Sequence, residues 1–432
     1  MTRRRRAAAG ALVVATLALT AAACGNAPTS ATTDTKQLEV VSWWTSGSEA
    51  AALETLFTAF RRSSPGVDAV NGAVAGGAGS KAIVELAKRL QRDDPPDVWQ
   101  TFAGESVRGY ARRGVIRSVS SVFGDDLVAR MHPVIARSVM RDGRPYGVPT
   151  GAHRSNMLWF NKRLLEHAGV VTPSSGYTLD AFLADLRKIK AFGTVPLCLG
   201  GKDRFTTAEL LENTLLSSIG RSGWQDMVDD DLDWRGGRVR TALKRFGDML
   251  RFTDAQAGRL TWDAATKKLG SGGCAFESMN DSAFGELIAS GAVEDEDFGA
   301  IPFPGTEDSF LAVVDVFVAA TKAQNAKNAL AFLDDISTPA TQRRFSAEKG
   351  SVPVLRDVEV SSLTDYQRAT SKALWNSPVL LSLAHGEAMS PKFQEGFYDA
   401  VASYVRTRDA DAFADELEDA VDTGKSPFPN GE

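Results

Sequence analysis

Apolar and polar positions along the first third of the chain alternate between two periods. "LEVVSWW", Leu38 to Trp44, is a short, largely apolar run and predicts a strand. "SEAAALETLFTAFRRSSPG" follows with Leu53, Leu56, Phe57 and Phe60 on one stripe, which predicts a helix with Ser48 as its N-cap and Pro65-Gly66 as its stop. "VDAVNGAVAGG" predicts a second strand running into a glycine-rich turn, "SKAIVELAKRLQRDDPP" a second helix from Ser80, and "DVWQ" a third strand. Strands alternating with helices in this way predict βαβ units around a largely parallel sheet. The pattern recurs in "TLDAFLADLRKIKAFG", where Thr178 caps a stripe of Leu179, Phe182, Leu183, Leu186 and Ile189 that Gly193 ends, before the strand "TVPLCLGG".

At 432 residues the chain exceeds one ordinary core, so two domains are expected. Three stretches read as passages between them: "DGRPYGVPTGAHRSNMLWFNKRLLEHAG", "DFGAIPFPG" (Asp297 to Gly305) and "EKGSVPVL" (Glu348 to Leu355). Three crossings make both domains discontinuous, with a cleft between them. The expected division is residues 36–150 plus about 302–347 for the first lobe and 151–301 plus about 348–432 for the second.

The N-terminus reads as a targeting segment, residues 1–23. Arg3 to Arg6 precede an uncharged run, Ala7 to Ala23, too short for a comfortable membrane span. It ends in "TAAAC", similar to the bacterial lipoprotein box in which the cysteine, here Cys24, is lipidated; Ala21 departs from that pattern's leucine. Plain secretion after an A-x-A site is the alternative. Residues 24–35 are small, polar and Pro-containing, suited to a tether. The globular part is therefore expected outside the cell membrane and leashed to it. Cys198 and Cys274 would meet an oxidising compartment, either paired or as two buried thiols.

A formal charge of −5, more acidic once the N-terminal arginines are removed, argues against nucleic acid as a partner. His132, His153, His167 and His385 are not motif-spaced, so neither a metal nor another cofactor is expected. Neither G-x-S-x-G nor H-E-x-x-H occurs, and "TGKS" near the end lacks the earlier glycine of a phosphate loop, Asp419 holding that place.

The pieces "SWWTSGSEAAALE", "GGAGSKA", "DDPPDVWQ", "YGVPTGAHRSNMLWFN", "LTWDAATKKLGSGGCAFESMND", "KGSVPVLRD" and "SLAHG" stand in an order that resembles the sugar-binding subunits of ABC importers, within them the glucose/mannose-type branch. The resemblance runs from Leu38 to the C-terminus. It implies an α/β, two-lobed periplasmic-binding-protein-like fold of the maltose-binding-protein type, with a hinged interdomain cleft. It also implies a sugar ligand, an ABC permease as partner, a monomeric receptor and no catalysis.

The tandem tryptophans then acquire a chemical purpose, because the C–H faces of a pyranose lie well on a rigid indole. Trp43 and Trp44 point to opposite faces of a strand end, one toward the cleft and one packed below; the family reading puts both at the sugar. Glu49 would accept hydroxyl hydrogens at a helix start, and Gln100, at the carboxyl end of a strand, would offer donor and acceptor together. Asp281, Lys349 and His385 match polar ligand positions of the family, while His153, Asn156 and Trp262 rank behind them. Two departures stand out: Phe102 in "QTFAG" replaces a histidine, and Ser282 replaces a tryptophan after Asp281. They put glucose itself in doubt as the ligand. A secreted glycosidase is the rival reading, since tryptophans and carboxylates line such sites too, and a peptide or metal-ion receptor of the same architecture is a further one.

Overall fold

The computed structural model describes residues 36–45, 47–73, 79–124 and 126–424, all within the unit Asp34–Glu432. The leader, Cys24 and the tether lie outside the described residues. Five strands form the first sheet in the order β12 (Val379–Leu381), β11 (Phe310–Ala319), β3 (Val98–Phe102), β1 (Gln37–Val41) and β2 (Asp68–Asn71), and β6 (Val148–Arg154) pairs with β11 as a sixth. The second sheet runs β10 (Phe298–Pro302), β7 (Met157–Asn161), β9 (Phe276–Ser278) and β8 (Leu197–Cys198). A small hairpin, β4 (Met140–Arg141) with β5 (Arg144–Pro145), precedes β6.

The first strands do make parallel pairs, β1 with β2 and with β3. The sheet as a whole is mixed, because β11 returns from the other lobe antiparallel to β3 and β6. In the second sheet only β8 and β9 run parallel. The helix after β1 begins at Gly47, so Ser48 lies inside its first turn rather than capping it. Thr178 does cap its helix, accepting from the Ala181 N–H, and Gly193 ends that helix in the left-handed conformation. Cys198 and Cys274, with Cα atoms 5.8 Å apart, form a disulfide that ties β8 to the start of β9.

Each sheet has its own core. Leu38, Val98, Phe317 and Phe332 belong to the first; Leu158, Phe182, Phe246 and Phe276 belong to the second. The chain passes between them at Ser155-Asn156, linking β6 to β7, and again between β10 and β11. The third passage differs from the expected one near residue 348. Val352, Val354, Leu355 and Val358 pack into the first core, as do Leu374 and Val379, whereas Leu383, Phe393 and Phe397 pack into the second. The passage therefore falls at Ser382–Ala384, and most of the core side chains of residues 348–381 side with the first lobe, while Tyr366 stacks on Phe284 of the second.

Two buried side chains bind these passages to one another. Asn156 Nδ2 donates toward Thr306 Oγ1 and the Ser309 carbonyl, and its Oδ1 accepts from the Leu311 N–H at 3.0 Å, so the first passage holds the second. Glu212 accepts from Ser155 Oγ at 3.0 Å and from the Leu383 and Ala384 N–H groups at 2.7 and 2.8 Å, so the first also holds the third. Burial pushes the Glu212 carboxyl up to about 7 against these donors. Replacing Asn156 by Ala strands buried partners, each costing roughly 1–3 kcal/mol. Urea unfolding of Asn156→Ala is expected to show a loss in that range or above; a change within about 0.5 kcal/mol, ordinary for a surface site, would contradict the assignment.

Candidate functional site

Where the two sheets face each other, the carboxyl ends of β1 and β3, the middle of β11 and the helix starts at Gly47 and Ser282 converge on one groove. Its wall is made by Trp43, Trp44, Glu49, Phe102, His153 and Asp315 on one side and by Phe205, Trp262, Asn280 and Ser282 on the other, with Lys349 and His385 between. As the lobes stand, the space between these walls has room for little more than a water molecule or two, so a ligand enters only if they part.

The two tryptophans stand just past the end of β1 and reach different depths. Trp43 turns its ring toward Phe102, centroids 5.2 Å apart, and lies flat under Gly79. A Cβ on Gly79, whose φ is +73°, would come within 2.5 Å of the indole, which is why the glycine-rich turn ends as it does. Trp44 is set deeper, between Phe317 and Phe345, and its ring carries the Lys349 ammonium 5.4 Å from its centroid.

A charged network runs beneath the aromatic wall. His153 Nδ1 meets Asp281 Oδ1, and Nε2 meets Asp315 Oδ2 at 3.1 Å. Asp281 comes from the second lobe and Asp315 from β11 of the first. Asp281 also accepts from the Arg154 N–H at 3.1 Å. Lys349 Nζ bridges Glu49 at 3.1 Å and Ser282 Oγ at 2.9 Å. Burial and the Lys349 charge press the His153 pKa down, yet Asp281 and Asp315 outweigh them and leave it raised. Burial raises Asp315, but the His153 and Lys349 charges win and hold it below the usual range. Glu49 moves the other way: burial lifts it more than Lys349 lowers it.

The expected residues thus fall into two groups. Trp43, Trp44, Glu49, Lys349 and His385 line the groove together with Trp262 and His153. Gln100 and Asp281 stand behind it. Gln100 accepts from Ser42 Oγ and donates to Asp315 Oδ1 at 3.2 Å, so it orients Asp315, while Asp281 orients His153. Asn156 belongs to the hinge. Sequence reading passed over Asp315, although a lone aspartate inside the apolar run "FLAVVDVFVA" is a signal, since a buried charge needs partners. It also passed over Phe205, Asn280 and Glu209. Glu209 accepts from Asn280 and stands 4.0 Å from His385 Nε2.

His385 is packed edge-on between Phe102 and Phe205, with Nδ1 on Ser382 Oγ. Burial, then the nearby His153 and Lys349 charges, lower its pKa to about 3, so it is a neutral donor–acceptor at any ordinary pH. Among the described residues no His/Cys/Asp/Glu group has the arrangement of a metal site.

The unfolded His385 binds a proton below about 6.5, whereas the folded one does not until about 3. Its contribution to stability is therefore lost as pH falls through that window, by up to about 1.4 kcal/mol per pH unit. His153 has the opposite sign: its contribution is complete below the unfolded value and fades as pH rises through its raised folded value. Chemical unfolding between pH 6.5 and 4 should show a shallower acid loss for His385→Gln than for the parent; parallel curves would refute a neutral buried His385.

Residues 44–343 match the family model described as bacterial extracellular solute-binding protein. An uncharacterised ABC transporter extracellular-binding protein of Pyrococcus horikoshii is 28% identical over 98% of this chain and 96% of its own length. A probable sugar-binding periplasmic protein of Brucella suis is 28% identical over 89% and 92%. A xylose/arabinose-binding protein of Haloferax volcanii is 27% identical over 89% and 84%. Among solved structures, a bacterial solute receptor with a preference for β-D-galactopyranose superposes with a TM-score of 0.77, at 18% identity over 90% of this chain and 98% of that one. An acarbose-binding receptor of Streptomyces glaucescens superposes with a TM-score of 0.72, at 18% identity over 91% and 99%. These likenesses show a shared two-lobed receptor fold, and the chain belongs to the bacterial extracellular solute-binding protein family.

Proposed function

We propose that this chain is the sugar-capturing subunit of an ABC importer, held outside the cell membrane by a lipid on Cys24 and handing its ligand to a permease. The observation that carries the reading is the groove itself. Four aromatic side chains, Trp43, Phe102, Phe205 and Trp262, supply apolar faces, and Glu49, Lys349, Asn280 and the neutral His385 supply donors and acceptors at their edges. A pyranose has this alternation of C–H faces and hydroxyl rims. The names of the relatives, sugar-binding and xylose/arabinose-binding, point the same way.

Phe102 and Ser282 both stand in the wall, where the glucose-type pattern has histidine and tryptophan. The first exchange removes a hydrogen-bonding group. The second makes room that Lys349 fills by donating to Ser282 Oγ. A different monosaccharide or a disaccharide, rather than glucose, is the ligand these changes favour. Sugar would enter between parted lobes and be enclosed as they rotate about the three passages, closure being driven only by contacts that are better in the closed state.

A receptor rather than a hydrolase is favoured by the state of the carboxylates. Glu49 is paired with Lys349, and Asp281 and Asp315 are both spent on His153, so these three carboxylates of the described residues are engaged rather than free as an acid–base pair. Calorimetry of the chain against xylose, arabinose, glucose, mannose, galactose, maltose and trehalose is expected to show binding of at least one monosaccharide, with a matching rise in melting temperature. Trp43→Ala should weaken that binding by about 1–3 kcal/mol, the worth of a buried aromatic face, without unfolding the chain. Silence across the panel, or release of a cleaved product from a saccharide, would sink the reading.

A further inference from the structure

One helix of the second lobe, Ser282–Ala289, packs against the first lobe beside the groove. Its Ala283, Phe284 and Leu287 are buried in the core of the second lobe. Ser282, Gly285 and Glu286, at positions i, i+3 and i+4, form the opposite face and turn toward the first lobe. There they meet two elements: the start of the helix Gly47–Ser63, and the end of the helix Pro339–Lys349 with its left-handed cap Gly350.

The fit along this face is closer than side chains allow. A Cβ on Gly285 would lie 2.5 Å from the Lys349 carbonyl oxygen and 3.1 Å from Ser48 Cβ. A Cβ on Gly350 would lie 2.5 Å from the Gly285 nitrogen and 2.8 Å from the Asp281 carbonyl oxygen. A methyl group on Gly47 would run into the Glu286 carboxylate. The three atoms nearest a Gly285 side chain, Lys349 O and C and Ser48 Cβ, all belong to the first lobe. In an isolated helix that glycine is a cost, since it loses more backbone freedom on ordering than alanine does. Glu286 adds charge to the seam: it pairs with Lys267 Nζ at 2.9 Å and sits at the amino end of the Gly47–Ser63 helix, where negative charge is favoured. Lys349 completes it by donating to Ser282 Oγ from the first lobe.

We propose that the Ser282/Gly285/Glu286 face is the closing surface of the receptor, and that Gly285 is kept without a side chain so that helix backbone can seat on Lys349 and Gly350. This rests on the hinged-lobe reading above and goes beyond it, because Gly285 and Glu286 do not line the groove and would act on closure rather than on sugar contacts. The latch holds by shape: van der Waals contact between backbones is gained only at full closure, and any side chain at residue 285 acts as a wedge.

X-ray scattering of the full chain decides it without a sugar, so its failure is separable from failure of the sugar reading. Gly285→Leu, a good helix former, should unfold cooperatively like the parent yet show a larger radius of gyration by X-ray scattering. A radius equal to the parent's would overturn the requirement for glycine.

Discussion

His153 stands where the chain leaves one sheet for the other, with one ring nitrogen on a carboxylate from each lobe. Buried charges are tolerable only when paired, and removing one member of such a set strands the rest at a cost of about 3–5 kcal/mol. The arrangement therefore fixes more than itself. Asp281 is held by His153 and by the Arg154 N–H; Asp315 is held by His153 and by Gln100, which Ser42 holds in turn. Through these links the carboxyl ends of β1 and β3, the middle of β11 and the start of the Ser282–Ala289 helix take fixed places around one groove. The "HRSN" stretch reads as a single device. His153 joins the lobes electrostatically, Ser155 donates to Glu212, and Asn156 binds the second passage.

Above this network the groove keeps its chemistry neutral where it can. His385 carries no charge, Glu49 is matched by Lys349, and the indole of Trp44 takes part of the Lys349 field on its face. A neutral, hydroxyl-bearing ligand would meet donors and acceptors that are already aimed and need little reorganisation. Phe102 and Phe205 hold His385 by its edges, so substitution of either aromatic would release a polar ring as well as remove an apolar face.

How far the sequence revealed this depended on the range of the signal. Local chemistry was legible: the Thr178 cap, the Gly193 stop and the stripe of Leu53, Leu56, Phe57 and Phe60 all stand in the structure as their spacing implies. Strand direction was not, because β11 runs against β3 only after an excursion through the second lobe that no local pattern records. The third passage was misplaced for a similar reason. "KGSVPVL" has the glycine and proline of a crossing, but its valines and leucine are claimed by the first core, and Ser382–Ala384 carries no comparable punctuation. At the site, residue types that suit a sugar were visible, but depth was not. Gln100 and Asp281 have the right chemistry for direct contact and lie one layer behind, whereas Asp315 was hidden by the apolar strand around it.

The account turns on His153 joining the lobes through both ring nitrogens. The chain has 4 histidines, so ring-nitrogen NMR with labelled histidine, assigned against His153→Asn, can follow each one through a pH titration. The account predicts that His153 loses its second ring proton only above pH 6.5, because Asp281 and Asp315 raise its pKa. A His153 that titrates at or below that value would contradict it, and with it the fixed geometry of the groove.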